Sequence, residues 1–220
     1  MKKLFIVANW KSNKTQEEAK EWFGQIATLL PRDVGEKELI LCVPASLFSV
    51  CKESINKLNL PIQLGAQDVS PFENGPYTGA ISATMLAEFV THVLIGHSER
   101  RINFHEDDEM LFKKVLQAKQ AGLTPIYLVQ GKDTPIPDGV DIVGYEPVAA
   151  IGSGNPDTPE NVIAVAHAIK ENKKIPYVLY GGSVNGENVH TFTSLEGIHG
   201  VIPGNASLDP HKLAAILINA

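Results

Sequence analysis

Long apolar runs are missing from this 220-residue chain. No stretch approaches the ~18 apolar residues that a membrane-crossing helix needs. The N-terminal run Leu4-Phe5-Ile6-Val7-Ala8 is too short for a secretory core before Asn9 and Lys11 interrupt it. A basic excess is missing too: 19 Lys and Arg stand against 25 Asp and Glu, for a net charge of −6. That balance argues against nucleic-acid and anionic-membrane partners, which need a basic face. Cysteine is scarce, with Cys42 in a strand-like run and Cys51 in a helical one. Both fit bland thiols in a reducing compartment. No His, Asp and Cys set has the spacing of metal ligands, and no low-complexity linker divides the chain. The expectation is a cytoplasmic protein of one domain, residues 1–220, whose 44% hydrophobic content suffices for one core.

What is present is an alternation. Leu4–Ala8, Leu39–Val43, Ile62–Ala66, His92–Ile95, Thr124–Val129, Ile142–Tyr145, Tyr177–Tyr180 and Gly200–Ile202 read as strands. Between most of them lie helical patterns, such as Ala19, Trp22, Phe23, Ile26, Leu29 and Leu30 on one face. Thr158-Pro159-Glu160 opens another helix, with a capping hydroxyl before a first-turn proline, and Met110 to Ala121 stops at Gly122. Strand–helix alternation implies parallel strands, and eight units fit an α/β fold of the closed (β/α)8 barrel type better than an open sheet. One unit is incomplete. The segment 130–140 has two prolines, two glycines and no three- or four-residue apolar repeat, so no helix is expected between strands five and six. An extended return leaves the outer faces of Tyr127, Val129, Val143 and Tyr145 to be covered. Pro135, Ile136 and Pro137 are expected to do this in part, with leftover apolar area free for a subunit contact.

Polar and glycine-rich clusters follow the strands: Asn9-Trp10-Lys11, Gly96-His97-Ser98-Glu99, Glu146-Pro147, Gly181-Gly182-Ser183 and Gly204-Asn205. In a barrel all five fall at the C-terminal mouth, where active sites of this fold are assembled. Taken singly, each has an ordinary explanation. Glu146 serves as well for a structural hydrogen bond, Lys11 for a solvated charge, Glu99 for a carboxylate at a helix start, and the glycines for turns.

Together these segments resemble a known family. Ala8-Asn9-Trp10-Lys11, Ile95-Gly96-His97-Ser98-Glu99-Arg100-Arg101, Tyr145-Glu146-Pro147-Val148, Tyr180-Gly181-Gly182-Ser183-Val184 and Ala206-Ser207-Leu208 look like triosephosphate isomerases, in that family's order along the whole chain. The resemblance implies interconversion of dihydroxyacetone phosphate and glyceraldehyde 3-phosphate through an enediolate, in glycolysis and gluconeogenesis, without cofactor or metal. It makes Glu146 the base, His97 a neutral electrophile, Lys11 and Asn9 the partners of the developing oxyanion, and Glu99 the holder of Lys11. Gly152, Ser183, Gly204 and Asn205 would seat the phosphate. Pro147, Val148, Ala149, Ala150, Ile151, Gly152, Ser153 and Gly154 resemble the lid, and Thr78 the tip of a loop that reaches into a second subunit. A homodimer follows, and through the uncovered sheet a higher oligomer.

Departures from the family pattern stand at Ala149, where a tryptophan is usual, at Asn155-Pro156-Asp157 in place of lysine-threonine-alanine, at Ala80 for a glutamate, and at Asn205 for a glycine. A side chain at Asn205 raises the expectation of backbone strain beside the phosphate. Two alternatives stay open: another sugar-phosphate barrel enzyme, which would want a Schiff-base lysine or a metal cluster, and a non-catalytic phosphate-binding barrel.

Overall fold

Alternation of side chains along each strand decides the architecture. The computed structural model describes residues 3–148, 150 and 154–220. Its strands are β1 (Leu4–Asn9), β2 (Lys37–Val43), β3 (Ile62–Ala66), β4 (His92–Ile95), β5 (Thr124–Val129), β6 (Ile142–Tyr145), β7 (Tyr177–Tyr180) and β8 (Ile198–Val201). All pair in parallel and close in order as β1 to β8. Phe5, Val7, Ile40, Cys42, Leu94, Ile126, Leu128, Ile142, Leu179 and Ile202 form one buried cluster, and the alternate positions form a second with the apolar faces of the helices. This is the two-layer filling that a barrel of parallel strands requires.

The helices are α1 (Gln16–Leu29), α2 (Phe48–Leu58), α3 (Ala83–Leu86), α4 (Ser98–Asn103), α5 (Asp108–Gln120), α6 (Pro159–Lys173), α7 (Val189–Thr193) and α8 (Pro210–Asn219). Thr15 caps α1 through a reciprocal box with Glu18, and Thr158 caps α6 ahead of Pro159. The strand reading needs adjustment at β1, β2 and β8. In β8 the ladder begins at Ile198, before the position expected, and the pairing with β7 shifts register between Val178 and Tyr180. Gly200, read as the strand's start, lies inside it at φ 148°, where a Cβ would stand 2.0 Å from the carbonyl oxygen of Phe5. Only glycine lets β8 approach β1 so closely.

Residues 130–141 return from β5 to β6 without a helix. Ile136, Pro137 and Val140 are buried against the outer layer, whereas Pro135 is exposed and contributes no cover. The return is pinned from both sides: the Lys119 ammonium on α5 donates to the Gly139 carbonyl, and Lys173 on α6 pairs with Asp138 at 2.8 Å. The leftover apolar sheet expected from the sequence is not there. Tyr127, Val129 and Val143 are 0% exposed and Tyr145 4%: they share the outer cluster with Ile136 and Val140 of the return and with apolar residues of α5 and α6, and the guanidinium of Arg101 donates to the Tyr127 hydroxyl at 3.1 Å. On α5, which Lys119 ties to the return, Phe112 and Leu116 stay exposed. Ile136→Ala is expected to destabilise the fold by about 2–4 kcal/mol, measured by urea denaturation, since Ile136 shields this gap. A loss well under 1 kcal/mol would mean that the flanking helices do the covering.

Candidate active site

Every strand-end cluster named from the sequence opens onto one cleft at the C-terminal mouth. Its volume is about 860 Å³, and Asn9, Lys11, His97, Glu99, Glu146, Ser183, Gly204 and Asn205 all line it. Asn9 closes β1 as a buried residue, and its side-chain oxygen accepts from the Lys11 amide at 3.0 Å. Lys11 sits at φ 51°, a left-handed conformation that a lysine rarely takes. The turn is held by Gln67, whose amide donates to the Lys11 carbonyl at 2.9 Å and to that of Cys42 at 3.1 Å. The result aims the Lys11 ammonium across the mouth onto the Glu99 carboxylate, as the resemblance implied.

His97 caps α4, and its Nδ1 accepts the backbone N–H of Glu99 at 3.1 Å. An Nδ1 that accepts leaves the proton on Nε2. Burial holds the imidazole down to about pKa 4, with Lys11 and Arg100 acting in the same sense and Glu99 opposing. At neutral pH it is therefore an uncharged Nε2–H donor. That Nε2 lies 3.4 Å from Oε2 of Glu146.

Glu146 follows β6 and is 3% exposed. Its Oε2 has no hydrogen-bond partner among the described residues. Burial lifts the carboxyl to about pKa 8, with Lys11 pulling it down and Glu99 pushing it up. Once ionised, such a carboxylate is a stronger base than one in water. Gly181 makes room for it: a Cβ there would meet Cγ of Glu146 at 2.6 Å.

On the anion side, Ser183 stands at φ 51° after Gly181-Gly182. Its hydroxyl donates to the Ala150 carbonyl at 2.6 Å and accepts the Gly154 amide at 3.2 Å. Gly204 precedes a short 3-10 turn, Asn205–Leu208. Asn205 is not among the positive-φ residues, so the strain expected there does not arise. Around Pro147, Ala150 turns back to bond the Pro147 carbonyl at 2.9 Å, while Val148 is exposed. Ala149, Ile151, Gly152 and Ser153 lie outside the described residues. Thr78 is exposed, beside a stacked Phe72–Tyr77 pair with centroids 4.3 Å apart.

Two supports were not singled out in the sequence. Gln67 follows β3 directly, and that strand-end position was its available signal. The second is an ion network under α4. Arg100 pairs with Asp68 at 2.8 Å and Glu106 at 2.7 Å, and the buried Lys114 of α5 pairs with both acids. It fixes the helix that presents His97 and Glu99. No spacing rule joins residues so far apart in the chain.

A water-stripped carboxylate facing a neutral imidazole donor, with an ammonium on the same rim, defines a class: barrel enzymes that transfer protons at a strand-end cleft. The family model for triosephosphate isomerase matches residues 4–135 and 136–220. A triosephosphate isomerase of Mesomycoplasma hyopneumoniae is 35% identical over 244 aligned residues, with 100% of both chains covered. One from Nostoc sp. is 36% identical over 241, with 99% of each covered. A crystal structure of triosephosphate isomerase from Bartonella henselae matches with a TM-score of 0.82 at 31% identity, covering 99% of this chain and 100% of that one. The chain belongs to the triosephosphate isomerase family, and it is an isomerase. The break in the family match, between residues 135 and 136, falls inside the helix-free return.

Proposed function

We propose that this chain interconverts dihydroxyacetone phosphate and D-glyceraldehyde 3-phosphate, in glycolysis and gluconeogenesis, with its own side chains as the whole apparatus. The observation that carries this reading is the Oε2 of Glu146, without a hydrogen-bond partner among the described residues and 3.4 Å from Nε2 of His97. A planar substrate lying between them can lose a carbon-bound proton to Glu146 while His97 donates to the carbonyl oxygen. The charge that develops on that oxygen faces Asn9 and the Lys11 ammonium. Glu146 then returns the proton to the neighbouring carbon. Ser183, Gly204, Asn205 and Gly152 seat the phosphate, and residues 147–154 close over it to exclude water. The bonds from Ser183 to Ala150 and Gly154 support a lid resting on that turn.

The protein acts as a single domain in the cytoplasm and as a homodimer whose Thr78 loop completes the partner's site. Support comes from the exposed Phe72, Tyr77, Met85, Ile102 and Phe104, and from a groove beside Lys11, Gln67 and Glu99 that such a loop could fill. With the outer sheet covered, an assembly beyond the dimer would use exposed apolar side chains elsewhere, such as Phe112 and Leu116 of α5 or Ile218 of α8. The test is a coupled isomerase assay in both directions on purified protein, with its mass measured in solution. Turnover of both triose phosphates is the expected outcome. A cleft that binds phosphate but turns nothing over would favour a binding barrel, and a monomer active at every concentration would remove the need for Thr78.

A further inference from the structure

We propose that Asp157 is a positioning residue whose carboxylate ties the exit of the lid segment to the strand end that carries Glu146. This deepens the isomerase reading and rests on it for its catalytic consequence. Asp157 lies three residues beyond Gly154 and just before the cap of α6. Its Oδ2 accepts from the Tyr145 hydroxyl at 2.9 Å and from the Asn161 amide at 2.6 Å, while Oδ1 accepts the Thr158 amide at 2.8 Å. Its own N–H donates to the Tyr180 hydroxyl at 2.7 Å.

Those two tyrosines are the last residues of β6 and β7, and they are register partners. Glu146 follows one, and Gly181, against which the Glu146 side chain packs, follows the other. One aspartate therefore bridges the outer side of the strand pair whose inner side holds the base. Burial and the neighbouring Asp157 raise the Tyr145 phenol well above its ordinary value, so it remains a donor at working pH. Asp157 thus fastens the lid's exit in two ways, by a backbone N–H that any residue but proline supplies and by a carboxylate that only an acidic or amide side chain replaces.

Without the carboxylate, Asp157 keeps its backbone bond to Tyr180 and loses its side-chain tie to the end of β6, so the exit of the segment opens more often. An enediolate phosphate left open to water has a competing path. The electron pair on its oxygen returns as a carbonyl, the carbon–oxygen bond to phosphate breaks, inorganic phosphate leaves, and the remaining enol tautomerises to methylglyoxal. Asp157→Ala is expected to lower kcat about tenfold, and to raise the fraction of turnovers ending in inorganic phosphate by a similar factor. Asp157→Asn, which keeps an acceptor oxygen, should restore most of both. Tyr145→Phe removes the same bond, so it should reproduce the alanine effect, and the double variant should be no worse than either single one. Amide hydrogen exchange at residues 154–157 reads the hinge without activity, and should be about tenfold faster in Asp157→Ala. Unchanged exchange, additive effects of the two substitutions, or a lower Tm with parental phosphate loss would each overturn the proposal. An inactive parent protein whose exchange responds as described would instead overturn the isomerase reading alone.

Discussion

Glu146→Gln will lower kcat by roughly a thousandfold or more while making the folded protein more stable at alkaline pH. The first half follows from removing the base, an effect typically worth about 10²–10⁴ in rate. The second follows from burial. The folded carboxyl titrates near pKa 8, against an ordinary value of 4.5. For a folded pKa that is raised, the favourable contribution is complete below pH 4.5, where both states hold the proton. It declines as the unfolded chain ionises, and is gone once pH passes 8 and the folded state ionises too. Glutamine never ionises. The stability gap between variant and parent should be small at pH 4 and grow to about 2–4 kcal/mol by pH 9, measured by urea denaturation at each pH. In the parent, kcat/KM should rise with pH well above the ordinary carboxylate range. A stability gap that ignores pH would show that Glu146 ionises normally and that its burial is relieved in solution.

Lys11→Met should weaken a phosphoglycolate-type inhibitor by at least about a hundredfold in calorimetry, since a charge-assisted bond and a facing charge are both lost. Asn9, His97 and Glu146 would keep their places, because Gln67 holds the turn through the Lys11 backbone and not through its ammonium. The partner left behind, Glu99, has a side chain 46% exposed and can be solvated. A large fall in affinity is therefore not an artefact of a buried orphan charge. Unchanged affinity would place the phosphate elsewhere in the cleft.

The barrel was legible because its signals are local. Five of eight strands carry the bounds that apolar runs and their punctuation suggest, and Thr158-Pro159 marks α6 to the residue. With Glu146 taken to point into the pocket, strand alternation also sent Val143 and Tyr145 outward. What eluded the sequence depends on neighbours distant in the chain. β8 is set by its register with β7 and by the close approach of Gly200 to Phe5, neither of which leaves an apolar pattern. The Lys11 turn depends on Gln67, and α4 rests on Asp68, Glu106 and Lys114. The absence of a helix after β5 was readable from prolines and glycines. That Ile136, Pro137 and Val140 would cover the sheet while Pro135 would not was a matter of three-dimensional aim.

The helix-free return also bears on the order in which the barrel can assemble. β5 and β6 are joined by the shortest crossover in the barrel, less than half as long as the one from β6 to β7. Each doubling of a loop adds about 0.6 kcal/mol to the entropy lost on closing it. Parallel pairing is slow because that loss precedes any reward from non-local contacts. In an unfolded chain the ends of β5 and β6 thus meet at the smallest entropic cost of any two adjacent strands, and Val129 and Tyr145 come together beside the residue that becomes the base.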